Sequence, residues 1–465
     1  MTLITNHLPT AELQALDAAH HLHPFTNGHD LEKKGARVIT RAKGVTLTDS
    51  DGNEMLDAMA GLWCVNLGYG RDELADAAAR QMKELPYYNT FFQTTHVPAI
   101  ALGEKLAQLT PYDLNHMFYA GSGSEANDTN IRLVRTYWAE KGQPDRSIII
   151  SRKNAYHGSS MGSASLGGMV YMHAQGGMPI ADIHHIGEPN WYAQGGDMDP
   201  DEFGLMRARE LEQAIQELGQ DRVGAFIGEP IQGAGGVIIP PASYWPEIQR
   251  ICDKYGILLI ADEVITGFGR TGKWFACEAH GIRPHIMTVA KGLSSGYVPI
   301  GASIVCDEVA DVLNGCEFSH GYTYSGHPVA CAVALENLRL LDEEGIVERA
   351  GSEIAPYLKE KWYALADHPL VGETQIIGLM GSLALSPHKE SRAAFAGEKG
   401  TAGLMCREHC FANGLVMRHV GDRMVISPPL VISKAEVDSL VERAHRALDL
   451  THAQLTKEGL MKAAG

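Results

Sequence analysis

The chain has no surplus of basic charge, no long apolar run and no cysteine pattern. Its 39 Lys and Arg against 56 Asp and Glu give a formal net charge of −17, which argues against the basic footprint of a nucleic-acid or anionic-membrane binder. Its longest apolar runs, such as Ile257–Ala261, are far too short to span a bilayer. No Lys or Arg precedes Lys33, so the basic opening of a secretory or organelle leader is missing and a cytoplasmic chain is expected. The eight cysteines (Cys64, Cys252, Cys277, Cys306, Cys316, Cys331, Cys406 and Cys410) are scattered without zinc spacing and are expected to remain reduced thiols. Cys406, His409 and Cys410 sit together in a helix-patterned segment, but no second pair of ligands accompanies them. The His20-His21-Leu22-His23 and His184-His185 pieces likewise lack two histidines at i and i+4 with a third ligand, so no metal is expected.

What is present describes a globular protein. Hydrophobic residues make up 45% and charged ones 20% of 465 residues, and 50 glycines with 21 prolines fall below the share that marks disorder or a fibre. Two to four domains are expected at this length. Short apolar runs alternate with helical patterns through the middle of the chain, which argues for α/β architecture around a mostly parallel sheet. Strands are expected at 117–120, 148–151, 225–229, 258–262, 287–290 and 302–306, with helices at 125–141, 210–218 and 244–255. Trp245, Ile248 and Cys252 recur at helical spacing in the last of these. The ends read differently. A hairpin-like stretch at 45–52 closes on Asp51-Gly52, a strong turn signal. Beyond residue 330 come a helix at 329–343, a strand near 378–385, and helices at 402–413 and 435–448. The expected organisation is an N-terminal segment at 1–70, a large domain at 71–328 and a C-terminal part at 329–465, with both termini building one smaller α+β domain.

Three features carry chemistry. An apolar run at 116–120 leads into Gly121-Ser122-Gly123-Ser124 and then a helix, an arrangement whose free N–H groups and dipole suit a phosphate. The same turn fits G-x-G-x-x-A, so a plain strand-to-helix turn and a nicotinamide-dinucleotide fingerprint are alternatives. The fingerprint is disfavoured because the next strand ends in Ser151-Arg152-Lys153, with no acid for a ribose. The fully apolar strand before Asp262 ends in a carboxylate, which is either a cap or a buried acid needing a partner. The next strand ends in Lys291, either a solvated side chain or, at the ligand-binding edge of a parallel sheet, a Schiff-base lysine. An acid, a lysine and a phosphate turn at neighbouring strand ends together suit pyridoxal 5′-phosphate.

The sequence from about Leu22 to Leu448 resembles the class III (omega) aminotransferases of the fold type I pyridoxal-phosphate superfamily. The most specific stretch is Leu259–Gly272 followed by Ala290-Lys291-Gly292. Gly121–Asp128, Asn154-Ala155-Tyr156-His157-Gly158, Glu229–Gly233 and Thr323–Pro328 support it. Leu56–Asn66 and Arg407–Phe411 narrow the likeness to amine:pyruvate aminotransferases, including the putrescine type. The resemblance implies that Lys291 holds the cofactor aldehyde as an imine and then moves the proton, while Asp262 pairs with the ring nitrogen. It implies that Gly123 and Ser124 bind the phosphate, with Thr323 completing that site from a neighbouring subunit, so a homodimer is the smallest active form and a tetramer is an alternative. Tyr156 and Val264 would flank the ring, and Glu229 would join the polar network around it. Arg418 matches an arginine that binds the acceptor's carboxylate and swings aside for the amine. Trp63 matches a residue at the pocket entry, with Phe25, Tyr88 and Phe91 as further aromatic walls, and Ala234 leaves room for a larger amine. An amine donor and a keto-acid acceptor, pyruvate first, would react in alternation. An aminomutase or racemase of the same fold is the runner-up.

Overall fold

The computed structural model describes residues 8–462. Helices at Thr10–His20 and Gly28–Lys34 precede an antiparallel meander of β1 (Ile39–Lys43), β2 (Thr46–Asp49) and β3 (Glu54–Asp57). Gly52, at φ +85°, lies in the turn between the last two strands, a conformation that favours a residue without Cβ.

The centre is a seven-stranded sheet: β4 (Leu114–Ala120), β5 (Ile148–Arg152), β6 (Ile183–Ile186), β7 (Val223–Gly228), β8 (Leu258–Asp262), β9 (Ile286–Val289) and β10 (Gly301–Cys306), in the spatial order β4-β10-β9-β8-β7-β5-β6. The five strands from β9 to β6 are parallel to one another. β10 runs against both β9 and β4, so β4 points the same way as the parallel set. Every residue of β7, β8, β9 and β10 is buried. That burial explains their largely apolar sequences, since helices cover both faces of such a sheet. Each fully buried Leu or Ile here, such as Leu259 or Ile260, contributes about 1.5–3 kcal/mol.

After the sheet, β11 (Val371–Ile377) and β12 (Met380–Leu385) form a hairpin. β13 (Leu415–Val416) pairs with β3 in parallel, tying the C-terminal region to the N-terminal meander. β14 (Arg418–Val420) and β15 (Arg423–Ile426) complete a second antiparallel sheet in the order β11-β12-β15-β14.

Several elements differ from the sequence expectation for identifiable reasons. β6 was not expected, because His184-His185 make its four residues read as polar. β11 was not expected either: Gly372–Gln375 are only partly buried, so its apolar signal is weak. The helix expected at 210–218 begins at Pro200, because Asp199 caps it by accepting from the Asp201 and Glu202 N–H groups at 2.9 and 3.2 Å. The final helix runs from Lys434 to Lys457, opened by a reciprocal capping box between Ser433 and Glu436. Among the described residues no helix is long and apolar enough to cross a membrane.

Candidate active site

Because β4, β8 and β9 point the same way, the residues that follow them gather at one edge of the sheet. There a cavity of about 820 Å³ opens, lined by Gly121–Ser124 after β4, Asp262 at the end of β8 and Lys291 just past β9. Parallel sheets place ligands at this edge.

The turn after β4 is built to leave donors free. The helix Gly123–Glu140 is capped by Ser122, whose Oγ accepts from the Glu125 N–H at 3.2 Å, while the Glu125 carboxylate accepts from the Gly121 N–H at 2.7 Å. The first intrahelical bond comes from the Ala126 N–H to the Ser122 carbonyl, so the N–H groups of Gly123 and Ser124 precede the helical ladder. A Cβ on Gly123 would lie 3.0 Å from Cγ2 of Val264 and 3.2 Å from its Cγ1. A side chain at this position would press on Val264.

Asp262 is almost fully buried and fully partnered. Its Oδ2 accepts from His157 Nδ1 at 2.7 Å and from Asn127 Nδ2 at 2.8 Å, and its Oδ1 accepts from the Val264 N–H at 3.1 Å. Asn127 is held in turn by Asn130 and by the Thr288 hydroxyl on β9. The carboxylate is thereby fixed in direction, and the His157 Nε2 has no partner among the described residues. Its neighbour Glu263 has a different task, capping the helix Ala276–His280 by accepting from the Ala276 and Cys277 N–H groups.

Lys291 sits at φ +44°, in the left-handed region that costs a non-glycine residue about 1–3 kcal/mol. Burial pushes its ammonium below the ordinary lysine range, against the opposing pull of Asp262, Cys64 and Glu229. Among the described residues its amine has no hydrogen-bond or ion-pair partner, which leaves a nucleophile free. Glu229 accepts from the Tyr156 and Gly233 N–H groups at 3.1 and 3.0 Å, and burial raises its carboxyl above the usual range.

The cavity brings together eleven of the residues singled out by sequence: Lys291, Asp262, Gly123, Ser124, Tyr156, Glu229, Val264, Trp63, Phe25, Ala234 and Arg418. Arg418 opens β14, and burial pushes its guanidinium below the ordinary range. It has no carboxylate partner among the described residues. Thr323, Tyr88 and Phe91 lie outside this cavity. Thr323 lines a neighbouring one with Gly121, Tyr322 and Val298. Phe91 packs near Gly321 and beside Phe92, and Tyr88 is exposed. Sequence reasoning assigned no role to His157 or Asn127. Asn127 and Asn130 were detectable as two amides on the buried face of one helix, and His157 stood inside a quoted motif. It also missed a second guanidinium at the cavity, Arg407, whose charge is engaged by Glu408.

A desolvated free lysine, an oriented carboxylate and an anion cradle too tight for a Cβ fit pyridoxal 5′-phosphate. The comparisons agree. The class-III aminotransferase family profile matches residues 30–448. A putrescine–pyruvate aminotransferase of Pseudomonas aeruginosa is 57% identical over 451 residues, covering 97% of this chain and 98% of that protein. A thermostable (S)-enantioselective omega-transaminase from Thermomicrobium roseum superposes with a TM-score of 0.91 at 43% identity, covering 96% of this chain and 99% of that one. The omega-transaminase of Pseudomonas jessenii in complex with PMP superposes with a TM-score of 0.93 at 40% identity, covering 96% and 99%. The α/β fold, the cofactor chemistry of the site and a profile match spanning most of the sequence lead to one conclusion: the chain belongs to the class-III aminotransferases, pyridoxal-phosphate enzymes of fold type I.

Proposed function

We propose that this enzyme moves an amino group from a primary amine or diamine, putrescine first, to pyruvate, with the two substrates using one cavity in turn. The observation that carries the reading is Arg418: a partly buried, unpaired guanidinium lining the same cavity as the free Lys291 amine. An unpaired cation there favours an anionic ligand, and an acceptor's carboxylate supplies one in bidentate form. The relative whose name gives putrescine and pyruvate supports the choice of substrates.

When bound, pyridoxal phosphate supplies an aldehyde that condenses with amines and a ring that withdraws electrons from the adjoining carbon. The N–H groups of Gly123 and Ser124 would hold its phosphate, Tyr156 and Val264 would confine its ring, and Asp262 would keep a proton on its nitrogen. Glu229 fixes the Tyr156 backbone beside it. Lys291 Nζ, whose charged form burial disfavours, would take the proton from the carbon bearing the substrate nitrogen and return it one carbon away. Trp63 and Phe25 wall the entry, and Ala234 leaves volume for the amine chain. Thr323 serves the site of a second copy, which makes a homodimer the working unit; its exposure outside its own cavity supports this. Tyr88 and Phe91 lie on the loop whose Tyr87 hydroxyl donates to the Thr323 carbonyl. The large domain at 71–328 is supported by the extent of the seven-stranded sheet, and the joining of 1–70 with 329–465 by the β3–β13 pair. A cytoplasmic setting is supported by eight free thiols.

The test is the visible spectrum of the holoenzyme. Adding putrescine bleaches the cofactor band, and pyruvate then restores it. A band indifferent to putrescine but bleached by another amine would overturn the donor assignment. Arg418→Leu is expected to raise KM for pyruvate about 10- to 100-fold, the loss of a charge-assisted hydrogen bond. Bleaching by putrescine should persist in the same variant. If pyruvate KM stayed unchanged, the acceptor's carboxylate would bind elsewhere.

A further inference from the structure

Away from the sheet edge, the helix Thr10–His20 ends beside a second group of donors. His21 Nδ1 lies 3.1 Å from Asp17 Oδ1, and His23 Nε2 lies 2.7 Å from Asp17 Oδ2. The two imidazole centroids are 4.1 Å apart. One donor atom from each of the three residues falls within 4.8 Å of the others, the one such group of three among the described residues. The i, i+4 relation needed for a helical chelate is present after all, with an aspartate rather than a histidine as the first member.

We propose that Asp17, His21 and His23 form a site for a divalent transition metal of the zinc type. Two imidazoles and a carboxylate suit Zn²⁺. In a tetrahedral site adjacent ligand atoms stand about 3.3 Å apart, so the three donors need only small side-chain rotations to reach it. Binding requires no net proton loss from neutral histidines. The His21 proton moves to Nε2 and the His23 proton to Nδ1, both away from the metal, and water completes the fourth position. The side chains keep access to solvent, at 59% for His21, 24% for His23 and 21% for Asp17, so an ion can enter without unfolding the segment.

The location gives the site a consequence. His23 is followed directly by Pro24 and Phe25, both of which line the active-site cavity. Phe25 stands at φ +51° and is 70% exposed, so little packing holds this wall. Zn²⁺ at Asp17, His21 and His23 clips the chain entering Pro24-Phe25 to the end of a helix, and thereby stiffens the rim through which substrates pass.

The experiment uses chelator-stripped holoenzyme titrated with Zn²⁺ against a chromophoric chelator, alongside digestion by chymotrypsin. Wild type is expected to take up one Zn²⁺ that the His21→Ala and Asp17→Asn variants bind at least tenfold more weakly. Zn²⁺ should slow cleavage after Phe25 at least threefold in wild type and leave it unchanged in both variants. The cofactor absorbance of each variant certifies its fold, because neither residue touches the cavity. Equal Zn²⁺ uptake by wild type and both variants would overturn the site. Uptake confined to wild type with unaltered cleavage would overturn the stiffening of the rim.

Discussion

Replacing Lys291 by alanine is expected to lower transamination at least about 10⁴-fold, at the upper limit of what a single positioned acid–base group supplies. The size of the effect follows from its surroundings. Lys291 is the cation in the cavity whose charge burial suppresses while its amine stays free of partners. Arg407 is tied to Glu408, and a guanidinium such as Arg418 keeps its proton. Neither guanidinium can therefore take over. The substitution should not unfold the protein, since alanine occupies the same left-handed backbone conformation at no greater strain than lysine, and a desolvated amine is removed. Thermal unfolding of the two apoproteins, compared with single-turnover rates on putrescine, checks both halves. A variant retaining more than a hundredth of the wild-type rate would show that another group moves the proton.

Asp262→Asn is expected to reduce kcat about 10²- to 10³-fold, the range seen when one preorganised electrostatic contact is removed. The carboxylate accepts three hydrogen bonds from His157, Asn127 and Val264. An amide in its place turns one acceptor into a donor facing donors, so besides losing the charge it costs about 1–3 kcal/mol in unsatisfied bonding. Retained cofactor with slow turnover is the expected signature, because the phosphate turn after β4 is untouched. Full activity would mean that the ring nitrogen needs no anion here.

The chemistry of the sheet edge was readable because three simple signals coincided with three strand ends. An unbroken apolar run stops at Asp262, another stops just before Lys291, and a Gly/Ser turn precedes a helix; the folded strands end within a residue of each expectation. What could not be read is pairing across distance. Asp262 and His157 are separated by about a hundred residues, and no periodicity links a strand end to a loop histidine. The Asp17 contact with His23 depends on the direction taken by a chain leaving a helix, which sequence spacing does not encode. Tyr88 and Phe91 lie outside the cavity of their own chain, and aromatic residues in a loop carry no signal of which cavity they face. Strand β6 was hidden for the opposite reason: its partly buried histidines satisfy a sheet position with polar side chains.

The reversed strand β10 has an outcome for how the enzyme is made. β4, which delivers the phosphate turn, has β10 as its sole neighbour in the sheet, pairing Ala120 with Gly301. At a synthesis rate of about 5–20 residues per second, the roughly 180 residues between these two positions take on the order of 10–40 s to translate. During that interval β4 has left the ribosome with both its edges unpaired, an invitation to cross-chain pairing. The residues that cradle the cofactor are thus synthesised well before the strand that locks them. Cofactor capture therefore waits for the chain to pass Cys306.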